Sequence, residues 1–175
     1  MKKLLLLFTC VFLFQNLFTQ TKELPRCKNI KEKLSRINDS FDSIVSKFAS
    51  KEDKISLIKT YFSEFSICEE KGKIKDYGRN IEFIFSFSDA DYKGSRNNFR
   101  DFYKKIFKKI KNVFDSTHVY KIAKEASAKS CYFYEKDKDI TTSKKNIKLL
   151  LSYKDPIDEI TAYSVSLIFE YYPKR

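Results

Sequence analysis

The chain has 175 residues, 16% of them aromatic, and a formal net charge of +12 at pH 7. Three glycines and three prolines are too few for a low-complexity linker or a succession of tight turns, and the length suits one domain with its own core. The basic excess favours anionic partners and says nothing about fold; abundant Lys, Asn, Ile, Phe and Tyr are also what drift toward AT-rich codons leaves behind.

Residues 1–20 read as a secretory signal peptide. Lys2 and Lys3 form a positive start, Leu4 to Phe14 is apolar except for Thr9, and Gln15 and Asn16 end the run. That run is shorter than the about 20 apolar residues a bilayer span needs. Cleavage after Thr19 would put Leu17 and Thr19 at the recognition positions. Cys10 fits a lipoprotein anchor poorly, because Phe8 and Thr9 stand where small residues belong and the apolar run continues past it. Residues 21–175 are expected to form a single secreted or periplasmic domain with no transmembrane helix.

Export permits disulfides, and Cys27, Cys68 and Cys131 follow the leader. Between Lys28 and Phe48 the apolar residues Ile30, Leu34, Ile37, Phe41, Ile44, Val45 and Phe48 recur at helical steps. A second such pattern runs through Ile55, Leu57, Ile58, Tyr61, Phe62 and Phe65. Ala49 to Asp53 separates them, with Ser50 as N-cap. Two helices on so short a connection lie antiparallel. Cys27 at the start of one and Cys68 at the end of the other then meet, which predicts a Cys27–Cys68 disulfide. Cys131 is left as a small buried apolar residue.

Lys71-Gly72-Lys73 and Gly78 read as breaks. From Asn80 to Ser88, Ile81, Phe83, Phe85 and Phe87 alternate with other residues and predict a strand. A loop over 89–95 follows, ending on Ser95 as a helix cap. Arg96 to Phe114 predicts an amphipathic helix. Phe99, Phe102, Tyr103, Ile106, Phe107, Ile110, Val113 and Phe114 form its apolar stripe, and Arg96, Arg100, Lys104 and Lys108 form a basic one, broadened by Lys105, Lys109 and Lys111. Residues 115–127 fit a helix slightly better than a strand. Ser130–Glu135 reads as a strand. Asn146–Tyr153 and Ile160–Tyr172 alternate and predict a hairpin. The expected fold is therefore α+β: an N-terminal antiparallel helical hairpin, then a strand, a basic amphipathic helix and three or four antiparallel strands, with the helices on one face of one sheet. This order is compatible with a curved-sheet cone.

Few residues suggest chemistry. Asp89, Asp91 and Gly94 match three positions of a calcium-binding EF-hand loop, but Lys93 and Arg100 put cations where oxygen ligands belong. His118 is the sole histidine; Asp115 and Ser116 near it are not a triad, and no zinc-ligand spacing is present. No glycine-rich phosphate loop or dinucleotide fingerprint occurs, so neither metal nor cofactor is expected. Arg96, Arg100, Lys104, Lys105, Lys108 and Lys109 are the candidate anion-binding residues. The expected function is that of a small exported non-enzymatic binding module, docking to anionic lipid, acidic polysaccharide or an acidic protein through the basic helix. Export disfavours nucleic acid. The alternative is a secreted hydrolase that uses the carboxylate pair Glu82 and Glu170 in an aromatic-lined pocket.

Overall fold

The computed structural model describes residues 22–25, 27–53, 57–88, 92–124, 128–153 and 163–174. The expected signal peptide, Cys10 and Asp89 to Asp91 of the calcium-like loop lie outside the described residues. In chain order the elements are β1 (Lys22–Glu23), α1 (Ile30–Asp39), a 3-10 turn (Phe41–Ser43), α2 (Ile44–Phe48), β2 (Lys51–Asp53), β3 (Lys59–Ile67), β4 (Glu70–Asp76), β5 (Ile81–Ser88), β6 (Tyr92–Lys93), α3 (Arg96–Phe114), β7 (His118–Lys124), β8 (Ala128–Glu135), β9 (Lys145–Tyr153) and β10 (Tyr163–Tyr171). No described helix is long and apolar enough to cross a membrane.

One eight-stranded antiparallel sheet dominates, in the order β2-β3-β4-β5-β10-β9-β8-β7; β1 and β6 make a separate parallel pair. Two meanders, β2 to β5 and β7 to β10, meet at the centre where β5 pairs with β10. The fold thus differs from the expected one. There is no N-terminal helical hairpin, and the strands outnumber the expected three or four.

The expected second helix fails at a specific place. Tyr61, Phe62 and Phe65 belong to β3, which turns directly into β4. The two-residue connection is Cys68 and Glu69, both with positive φ, 49° and 70°. That combination matches the twist of a β-hairpin, yet neither residue belongs to the Asn-Gly type that announces such a turn. Ser50 likewise caps no helix; its hydroxyl donates to the Phe62 carbonyl at 2.9 Å, on the way into β2. Gly72 is no break but the middle of β4. A Cβ there would collide with the Phe83 ring, so glycine is what lets Phe83 and Phe85 lie across the strand. Residues 118–124, which fit a helix slightly better, form the edge strand β7, paired along its length with β8.

One face of the sheet is covered. Phe83, Phe85, Phe87, Val165, Leu167, Phe169, Ile147, Leu149, Cys131 and Phe133 are all buried there. The helices meet them ring on ring: Phe41 on Phe169 at 5.9 Å, Phe48 on Phe83 at 5.3 Å, Phe102 on Phe87 at 4.9 Å and Phe107 on Phe133 at 5.7 Å. Each buried Phe contributes about 1.5–3 kcal/mol through burial, and each ring pair adds roughly 0.5–1.5 kcal/mol. Cys27 and Cys68 form a disulfide with their Cα atoms 4.2 Å apart, tying the approach to α1 to the β3–β4 turn rather than to a second helix. Cys131 is buried, and burial pushes its thiol up to about 12, so it stays protonated.

Candidate functional site

The helix α3 starts where its sequence says it should. The Ser95 hydroxyl accepts from the Asn98 backbone N–H at 3.4 Å, an N-cap that satisfies one of the helix's free donors. Phe99, Phe102, Tyr103, Ile106, Ile110 and Phe114 turn inward and are buried. This fixes the helix's rotation and leaves the basic residues outside, all of them exposed.

The fold then divides those basic residues. Positions 96, 100, 103 and 104 lie at i, i+4, i+7 and i+8, one flank of a helix. That flank faces the end of the β9–β10 ladder where β9 finishes and β10 begins. Arg96, Arg100 and Lys104, together with Lys129 at the start of β8, surround a cavity of about 150 Å³ whose remaining walls are Tyr103, Leu151, Tyr153 and Tyr163. Lys105 and Lys109 lie on the opposite flank, beside a wide groove of about 880 Å³ shared with Leu24, Pro25 and Cys27. Lys108 lines neither space. The six candidate residues therefore form a ridge between two concavities rather than one patch.

The smaller cavity is held by specific contacts. The Arg96 guanidinium lies over the Tyr153 ring at 4.7 Å, and the Lys129 ammonium over the Tyr103 ring at 5.2 Å. Phe99 stacks on Tyr163 at 6.2 Å. Tyr153 and Tyr163 are themselves directly opposite in the β9–β10 ladder. Among the described residues no carboxylate lines this cavity. Lys104 also donates to the Asp101 carboxylate at 3.0 Å, and that contact holds the Asp101 pKa below the usual range. Tyr103 is only 2% exposed, and its hydroxyl has no hydrogen-bond partner among the described residues. Burial, reinforced by the neighbouring Cys131 thiol, pushes its pKa up and keeps it a neutral donor.

Sequence reading missed Lys129, Tyr153 and Tyr163 as partners of the helix. Nothing local marks them, since their approach depends on the β8–β9 register that sets Lys129 opposite Leu151. Tyr103 was legible as a core residue, but its place beneath Lys129 was not.

Other candidates come out as follows. Glu82 and Glu170 are directly opposite on β5 and β10. They stand on the uncovered face and line none of the cavities at α3. Tyr77 and Asn80 donate to Glu82, each at 3.4 Å, and Tyr172 donates to Glu170 at 3.4 Å. His118 is buried edge-on to Phe114, with Nδ1 2.8 Å from the Thr117 hydroxyl. Among the described residues, no three His, Cys, Asp or Glu side chains come together as a metal site would require. Comparison with protein-family models, with curated proteins and with solved structures finds no match to this chain.

Proposed function

We propose that this protein is a small exported binding module that docks on acidic lipid headgroups through α3. The observation that carries this reading is the cavity at the helix's N-terminal half, where Arg96, Arg100, Lys104 and Lys129 gather around three tyrosines with no carboxylate among the described lining residues. In a site with low-dielectric walls, like charges focus the field and raise the local concentration of an anion. A space of about 150 Å³ suits a single phosphate or carboxylate group with a few attached atoms, not a polymer. The exposed run from Arg96 to Lys108 extends roughly 18 Å along the helix, so a flat anionic surface meets several cations at once. The Cys27–Cys68 disulfide suits an oxidising compartment, which supports export.

The test is binding to phosphatidylcholine vesicles with and without phosphatidylglycerol, across a salt series. The expected result is binding to the acidic vesicles alone, weakening as salt screens it. A variant with Arg100→Glu and Lys104→Glu should bind about tenfold more weakly or worse while melting like the parent. Equal binding to neutral vesicles, or undiminished binding by the variant, would overturn the proposal.

A further inference from the structure

The uncovered face of the sheet carries a pattern that only the register reveals. Reading across from one edge, Lys51 is opposite Phe62, and Phe62 is opposite Lys73. From the other edge, Lys121 is opposite Tyr132, and Tyr132 is opposite Lys148. Between these two triads Lys73 meets Ile84, Ile84 meets Ile168, and Ile168 meets Lys148. One residue from each of eight strands thus forms a continuous row, and each half of it reads lysine, aromatic, lysine. At about 4.8 Å between strands, the row is about 34 Å long.

We propose that this row is a binding face for a linear acidic polysaccharide. It is separate from the lipid-docking helix, which covers the opposite face of the sheet. Charge complementarity comes first. The row holds four lysines and no acid, and none of the four forms an ion pair among the described residues. The rings come second. Phe62 is a large apolar side chain left 45% exposed, and the Lys73 ammonium lies over its ring, 5.5 Å from the centroid. Lys148 stands in the same relation to Tyr132, at 5.3 Å. A sugar ring presents an apolar C–H face that packs on an aromatic ring, while its acidic substituent meets the adjacent cation. Both halves of the row supply that combination. Third, one flank suits a hydroxyl-rich ligand, with the Ser86 and Ser166 hydroxyls 3.2 Å apart, while on the other the Glu82 and Glu170 carboxylates repel a polyanion and bound the row. The Phe62 triad also borders a concavity of about 670 Å³, shared with Lys71, Lys75, Ser86, Glu70 and Glu64, the last paired with Lys71.

Two triads separated by the Ile84–Ile168 pair act as two binding modules on one rigid support. A chain long enough to reach both is held more tightly than one that fills a single triad. The experiment measures affinity of the whole protein for polygalacturonate, digalacturonate, poly-glutamate and single-stranded poly-dT. The expected result is that polygalacturonate binds about a hundredfold more tightly than digalacturonate, and clearly more tightly than poly-glutamate or poly-dT. Replacing the rings, Phe62→Ser with Tyr132→Ser, should weaken polygalacturonate binding about tenfold. The change Lys73→Ser with Lys148→Ser leaves both rings in place, should do the same and carries the test if the ring variant folds poorly. The helix variant Arg100→Glu with Lys104→Glu should leave this binding intact even where it abolishes binding to vesicles. Equal affinity for poly-glutamate would reduce the row to bulk charge, and tighter binding of poly-dT would make it a nucleic-acid face. Either result overturns the proposal, as does loss of polygalacturonate binding in the helix variant alone.

Discussion

Tyr153 and Tyr163 face each other where β9 ends and β10 begins, and each is taken by a different residue of α3: Arg96 lies over the first ring and Phe99 stacks on the second. The first turn of the helix is thereby fastened to the sheet. Replacing Arg96 by Met keeps most of the side chain's length and removes the charge. The variant should lose roughly 0.5–1 kcal/mol of stability, the worth of an exposed cation–π contact. Urea unfolding of Arg96→Met and of Tyr153→Leu, singly and together, checks this. The double variant should cost less than the sum of the singles, and full additivity would show that the contact contributes nothing.

Tyr103 buries a hydroxyl that has no partner among the described residues. An unsatisfied buried donor is expensive, so its removal should not hurt. Tyr103→Phe is expected to be neutral or stabilising, by up to about 1 kcal/mol. Tyr103→Ala should instead cost roughly 3–5 kcal/mol, because it empties the space beneath Lys129. Chemical denaturation of both variants separates the hydroxyl from the ring, and a marked loss in Tyr103→Phe would point to a hydrogen bond made in solution.

The disulfide closes a loop between residues 41 apart in sequence. A cross-link of that span stabilises by about 4 kcal/mol through the entropy it removes from the unfolded chain. Cys27→Ala with Cys68→Ala should lower the urea midpoint accordingly, and reductant should lower that of the parent to the same value. Reductant should leave the double variant unchanged, since Cys131 is a buried protonated thiol.

His118 gives stability a pH dependence near neutrality. Burial holds its pKa below the usual 6.5, while the Lys145 backbone and the Glu135 carboxylate oppose that shift. The unfolded chain therefore takes up a proton that the folded one resists. The contribution is complete above pH 6.5 and is lost as pH falls toward the lower folded value. Glu135 acts in a lower window. Burial raises its pKa, but the Lys144 N–H, the Ser143 hydroxyl and the Lys145 N–H together hold it below 4.5, so its contribution is present above 4.5 and lost as pH falls further. Urea midpoints between pH 7 and 5 should decline in the parent and stay flat in His118→Leu. A matching decline in both would assign the loss elsewhere.

What the sequence determined by itself is what short-range periodicity encodes. The helix Arg96–Phe114 and its Ser95 cap are legible because an apolar stripe at 3.6-residue spacing and a capping hydroxyl act within one element. The alternation of β5, β9 and β10 is legible for the same reason, with one face of each strand reserved for the core. The nature of 59–67 was not, because Tyr61, Phe62 and Phe65 suit a helical stripe as well as a strand. Pairing with β4 through a turn that carries no glycine or asparagine decides the matter. Gly72 looked like punctuation because its reason, the Phe83 ring, arrives from another strand. Both candidate surfaces depend on that same non-local information. Lys129 joins Arg96, Arg100 and Lys104 only when β8 and β9 are in register, and the lysine–aromatic row exists only once all eight strands are aligned. Local patterning sets which way a side chain points from its own backbone. Which distant side chains it meets is decided by pairing and packing, energies that no single segment contains.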